Sequence, residues 1–95
     1  MKGEEKLACV HRHLAQGEES ALTFDGFDEA IVGVGRQYTK PPLVVYDYSK
    51  MVQILMKRDK MSYGEAIEYI DFNTAGAWMG DSTPFILNRV EELET

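Results

Sequence analysis

Ser62 and Glu65, three residues apart at the head of the run Met61 to Gly80, constrain this chain more than any other pair. Serine followed at that spacing by glutamate forms a capping box. The serine oxygen accepts one orphan amide of a helix's first turn, and the glutamate reaches back for another. Glu65, Glu68 and Asp71 then place negative charge early in the helix, where the macrodipole favours it. Ile67, Ile70, Thr74 and Ala77 recur at helical spacing, and Tyr69, Phe72, Gly76 and Met79 mark an adjoining stripe. Gly80 and Pro84 supply the stop. The expectation is a central helix from Ser62 that buries Ile67, Ile70 and Trp78 against Val45, Leu55 and Phe85. Asn73 and Thr74 break the pattern, because both residue types favour caps and turns over helix interiors. A local rule broken inside the best helix is where a backbone kink or a function is expected.

The rest of the chain is read around that helix. Glu4 to Gln16 is a short amphipathic helix with Leu7, Val10 and Leu14 on one face and Gly17 beyond its end. Asp25-Gly26 is a turn between Phe24 and Phe27. Ala30 to Tyr38 carries β-branched residues without a helical stripe and is read as a strand. Thr39 to Pro42 is read as a connection, since proline cannot continue a ladder. Leu43 to Asp47 is then a second, central strand. Asp47 or Ser49 caps a helix burying Val52, Leu55 and Met56, with Lys57 and Arg58 in its last turn. A tight link at Asp59 to Met61 makes this helix and the central one a hairpin. Phe85-Ile86-Leu87 is a third strand, and Arg89 to Thr95 a charged tail. The fold class is α+β: a small three-stranded antiparallel sheet covered by a helical hairpin, with an N-terminal helix. One domain is expected over residues 1–95, with an N-terminal helix and linker over 1–20 and a core over 27–88.

Composition excludes several classes. Hydrophobic content of 44% with 27% charged residues is that of a globular chain, outside the disordered range. No apolar run approaches the roughly 18–20 residues that cross a bilayer, and the acidic N-terminus has no apolar core of a signal peptide. A single cysteine, Cys9, rules out an internal disulfide framework and suits a reducing cytoplasm. A net charge of −6 argues against indiscriminate nucleic-acid binding. The charge is also divided. Lys40 to Lys60 holds Lys40, Lys50, Lys57, Arg58 and Lys60 against Asp47 and Asp59, whereas Met61 to Asn88 holds Glu65, Glu68, Asp71 and Asp81 with no cation. A two-sided molecule is expected, with an acidic face that either solvates or meets a partner.

Few groups along the chain stand in a pattern that chemistry requires. Cys9, His11 and His13 lie close together, but zinc wants three or four ligands in fixed geometry, and no further cysteine or histidine exists. No metal is expected. Gly33 and Gly35 followed by Arg36 lack the third glycine and the following helix of a phosphate loop. A helix-turn-helix reader is disfavoured by the acidic start of the second helix. No nucleophile–base pair or carboxylate pair stands out, so no catalytic residue and no cofactor are assigned. What remains is binding. Tyr69, Phe72 and Trp78 offer stacking surface, Asn73 a hydrogen-bonding edge, Gly33 and Gly35 close approach, and Arg36 (or Lys40) a phosphate partner. Glu65, Glu68, Asp71 and Gly76 are the candidate protein-interaction residues.

Tyr46-Asp47-Tyr48, Met61 to Ala66 and Phe72 to Pro84 together resemble a group of small uncharacterised proteins of tailed bacteriophages and prophages. The resemblance spans roughly residues 27–87. It implies a phage-type origin in a bacterial cytoplasm and transfers no activity and no functional residue. The expectation is a non-enzymatic accessory protein binding a host macromolecule, preferably a protein, in host interaction or anti-defence. The alternative is a sponge for a small nucleotide-like signal, its pocket lying across a homodimer seam packed through Ala75, Gly76 and Ala77.

Overall fold

The computed structural model describes residues 1–16, 22–75, 80 and 82–93. Helix α1 (Gly3–Gln16) leads through a 3-10 turn (Asp28–Ala30) into strand β1 (Ile31–Gln37) and strand β2 (Lys40–Asp47). Helices α2 (Tyr48–Arg58) and α3 (Tyr63–Ile70) follow, then a π turn (Asp71–Ala75), strand β3 (Phe85–Leu87) and a 3-10 turn (Val90–Glu92). The α+β class holds. The sheet has the order β1-β2-β3, with β2 central as its apolar run implied.

The sheet is mixed, not antiparallel throughout as the sequence suggested. β1 and β2 form an antiparallel hairpin, but β2 and β3 run parallel, with Val45 opposite Phe85 and Asp47 opposite Leu87. The path explains this. The chain leaves β2 through two helices and returns after a crossover far longer than the dozen residues that parallel pairing needs. Three apolar residues carry no mark of their own direction.

Pro41 and Pro42 also lie inside β2, not in a connection, and the turn is only Tyr38-Thr39. Gly35 pairs with Leu43 and Gln37 with Lys40, so two residues of β2 oppose one of β1. That bulge is where a strand tolerates proline. A second irregularity, between Ile31 and Gly33, leaves Val32 exposed.

Alternation along β2 sorts the two sheet faces. Pro42, Val44 and Tyr46 are buried, while Leu43 and Val45 are half-buried on the other side. The core gathers Val10 and Leu14 from α1, Ile31, Val44 and Tyr46 from the sheet, Met51, Val52 and Leu55 from α2, and Ala66 and Ile70 from α3. Phe24 closes one end, its amide donating to the Tyr46 hydroxyl at 2.9 Å and its ring 5.0 Å from the Tyr46 ring. Burial pushes the Tyr46 phenol above its ordinary pKa, against the opposing hydrogen bond from Phe24. Gly3 is needed where α1 meets the first 3-10 turn, since a Cβ there would sit 2.8 Å from Glu29 Cγ and 2.9 Å from its amide nitrogen.

Leu55 and Ile70 are buried as expected. Phe85 and Met56 are not: they are 56% and 40% exposed, because Phe85 lies on the uncovered side of the sheet and Met56 on the outer flank of α2. Val45 and Ile67 are half-buried. Trp78 lies outside the described residues. Among the described residues, no helix is long and apolar enough to cross a membrane.

Candidate functional site

The capping box forms as its spacing dictates. Ser62 Oγ accepts from the Glu65 amide at 3.2 Å, and Glu65 Oε1 accepts from the Ser62 amide at 2.9 Å. Hydrogen bonding from the Ser62 amide first, and from the Ser62 hydroxyl second, holds the Glu65 carboxyl below its ordinary pKa. With its start fixed, α3 packs on α2 and sends Ala66 and Ile70 into the core. On a 3.6-residue period, Glu65, Glu68 and Phe72 then fall within roughly 60° of one another on the far side. All three are exposed, Phe72 at 86%, with Tyr69 (39%) at the margin.

The helix changes character at the position its sequence marked. From Asp71 to Ala75 the backbone opens into a π turn. Asn73 Nδ2 donates to the Tyr69 carbonyl at 3.0 Å, a side chain returning to the backbone one turn earlier. Such bulges concentrate at functional positions. Asp71, also exposed, lies close enough to α2 to act on Tyr48, whose phenol is raised above its ordinary pKa by burial first and then by the Asp71 carboxylate. The exposed surface of α3 and the π turn thus carries Glu65, Glu68 and Asp71 together with Tyr69 and Phe72. Gly76, the fourth candidate interaction residue, lies outside the described residues.

The residues suggested for a small ligand are not gathered in one place. Gly33, Gly35 and Arg36 belong to β1, on the hairpin, whereas Tyr69, Phe72 and Asn73 belong to the helical layer. Gly35 and Arg36 line a groove of about 380 Å³ on the outer sheet face, completed by Lys40, Leu43, Val45 and Phe85 among others, with no residue of α3 in its wall. The sequence reading missed this groove. Its signal was the alternation of Leu43 and Val45 against Val44 and Tyr46, hidden in a continuous apolar run. At Gly33 a Cβ would meet nothing within 4 Å, so that position is open and does not accommodate a bulky neighbour.

A cleft of about 600 Å³ between the start of α1, the first 3-10 turn and the end of α2 is lined by Lys2, Lys57 and Arg58 but equally by Glu4, Asp28 and Glu29, so it selects neither charge. Arg58 is held there by the Gly26 carbonyl (2.7 Å) and by Asp59. Cys9, His11 and His13 are exposed along α1, and His13 Nε2 accepts from Arg36 Nη2 at 2.6 Å. Among the described residues, no three His, Cys, Asp or Glu side chains come together as a metal ion would need.

Compared with known proteins, the chain matches no family model, no curated protein and no solved structure.

Proposed function

We propose that this chain is a non-enzymatic, phage-type accessory protein of the bacterial cytoplasm that binds a host protein through the face formed by α3 and the π turn. The observation that carries the reading is Phe72, 86% exposed on an irregular helical turn that follows Asp71 and continues the exposed side of α3 carrying Glu65 and Glu68. A large aromatic left in water has no role in the core. Aromatic residues are enriched among the anchors of protein interfaces, where a polar rim surrounds them. The acidic side chains along this side favour a basic surface with an apolar pocket, and they repel phosphate backbones. The nucleotide-sponge reading has less support, because neither of the two clefts described above brings Tyr69, Phe72 or Asn73 together with Arg36.

Affinity capture from a bacterial lysate with the wild-type chain, Phe72→Ala and Glu68→Lys tests the proposal. The expected result is a basic protein retained by the wild type and lost with either variant. Both sites are exposed, so stability should stay within about 0.5 kcal/mol of wild type. Capture indifferent to both substitutions, or turnover of a metabolite in an activity screen, would overturn it.

A further inference from the structure

The cleft of about 600 Å³ between α1, the first 3-10 turn and α2 has two unlike walls. From α2 come Ile54, Lys57 and Arg58, which at spacings of three and four residues share one side of the helix. The facing wall forms where the start of α1 packs on the 3-10 turn. A Cβ at Gly3 would lie 2.9 Å from the Glu29 amide nitrogen and 3.1 Å from Asp28 Cβ, so the two segments meet backbone to backbone. This wall carries Glu4, Asp28 and Glu29 against Lys2 alone.

The opposite charges do not cancel across the gap. Among the described residues, no ion pair joins Lys2 or Lys57 to Glu4, Asp28 or Glu29. Arg58 is committed elsewhere: it donates to the Gly26 carbonyl at 2.7 Å, pairs with Asp59 at 3.1 Å and lies 5.7 Å from the centre of the Phe27 ring. It braces the rim and leaves Lys57 as the cation of the α2 wall. Asp28 is half-buried, so its carboxylate has given up part of its water without gaining a partner among the described residues. A charge in that position favours a counter-ion.

The ligand must therefore carry both signs. A simple anion that meets Lys57 faces the three carboxylates opposite, and a simple cation that meets Asp28 faces Lys57 and Arg58. A molecule with an ammonium at one end and a carboxylate at the other satisfies both walls. Ile54, half-buried and packed on the core, supplies an apolar surface on the α2 side. The volume lies within the roughly 300–1,000 Å³ of pockets that hold organic ligands, well beyond what one inorganic ion fills.

We propose that this cleft binds a small zwitterion of about dipeptide size, its ammonium received by Asp28 and its carboxylate by Lys57. No residue of the cleft belongs to α3 or the π turn, so the site stands or falls independently of the host-protein reading.

Nuclear magnetic resonance titration of the full chain with alanyl-leucine tests the site. The amide signals of Gly3, Gly26 and Asp28 should shift and saturate. The N-acetylated dipeptide, which keeps only the carboxylate, and alanyl-leucinamide, which keeps only the ammonium, should each bind roughly two- to fivefold more weakly, the range of one partly exposed ion pair. Two variants divide the charges. Lys57→Gln should weaken alanyl-leucine and the N-acetylated form by a similar factor without weakening the amide. Asp28→Asn should do the reverse. A structural disturbance would weaken all three ligands alike, so the crossed pattern is specific to the two ion pairs, and circular dichroism melts confirm that both variants fold. No saturable shift at millimolar alanyl-leucine overturns the proposal. So do capped forms that bind as tightly as the free dipeptide, variants that affect all three ligands equally, or shifts confined to α3.

Discussion

Lys60 has a φ of 55°, the left-handed region, in the link that closes the helical hairpin. The amides around it are used: those of Asp59 and Met61 both return to the Leu55 carbonyl, at 3.0 and 3.4 Å. The backbone therefore needs this conformation whatever side chain it carries. For a residue with a Cβ the cost is roughly 1–2 kcal/mol, and glycine escapes it while adding entropy to the unfolded chain. Lys60→Gly should stabilise the protein by about 0.5–1 kcal/mol after both effects. Urea titration with an unchanged slope checks this, and a destabilised variant would show that the lysine side chain has a role in the link. Ser62 and Glu65 lie just beyond. Their pairing was legible because a capping box depends on residues three apart and on nothing distant.

The hairpin offers a comparison at the scale of one element. Gly33 and Gly35 share a face of β1, yet their surroundings differ. A methyl group at Gly35 would lie 3.0 Å from Val45 Cγ2 and 3.4 Å from Leu43 Cδ1, whereas at Gly33 nothing lies within 4 Å. Neither glycine has a positive φ. Gly33→Ala should therefore gain about 0.4–1 kcal/mol by restricting the unfolded chain. Gly35→Ala should gain less or lose, because Val45 must give way. Thermal melts at low concentration, where any self-association is absent, separate the two, and equal effects would mean that β1 and β2 are paired in another register. Much of this element was readable from β-branched residues and turn chemistry. The prolines misled because a bulge, invisible in sequence, excuses them from the ladder. The direction of β3 was unreadable because its crossover sets it, and the exposure of Phe85 because an apolar triplet does not say which of its sides is covered. In α3 the misfit of Asn73 was the true signal. The backbone does change there, and the acidic residues of the candidate face lie on the side that helical period assigns. What the sequence could not place was the outer groove, which exists only once three strands are side by side.

At the scale of the whole molecule, three depressed carboxylates among the described residues sit at the joints between elements. Asp59, in the link between the helices, is held below its ordinary pKa chiefly by the Arg58 guanidinium. Glu65, at the start of α3, is lowered first by the Ser62 amide. Glu92, where the last turn meets α2, is lowered first by the Ser49 hydroxyl and then by Arg89. A carboxyl whose folded pKa is depressed stabilises the fold fully above its unfolded pKa and loses that contribution as pH falls through the folded value. Acid should thus loosen all three joints over one window, below the ordinary carboxylate range. The net charge of −6 acts the other way, because protonating carboxylates relieves self-repulsion. Salt distinguishes the two: it screens repulsion among exposed charges and leaves short capping hydrogen bonds largely intact. Melting temperature against pH should stay level or rise slightly from neutrality into mild acid at low salt, lose that rise at high salt, and fall in stronger acid at both. Two variants locate the origin of the fall. Glu65→Gln removes a titrating group while keeping an acceptor, so its deficit against wild type should shrink as pH drops through the folded Glu65 pKa. Ser62→Ala removes a cap that does not titrate, so its loss of about 1 kcal/mol should persist across most of the range. If the Glu65→Gln and wild-type curves run parallel into strong acid, the capping box contributes nothing to acid sensitivity, and the fall must come from carboxylates elsewhere.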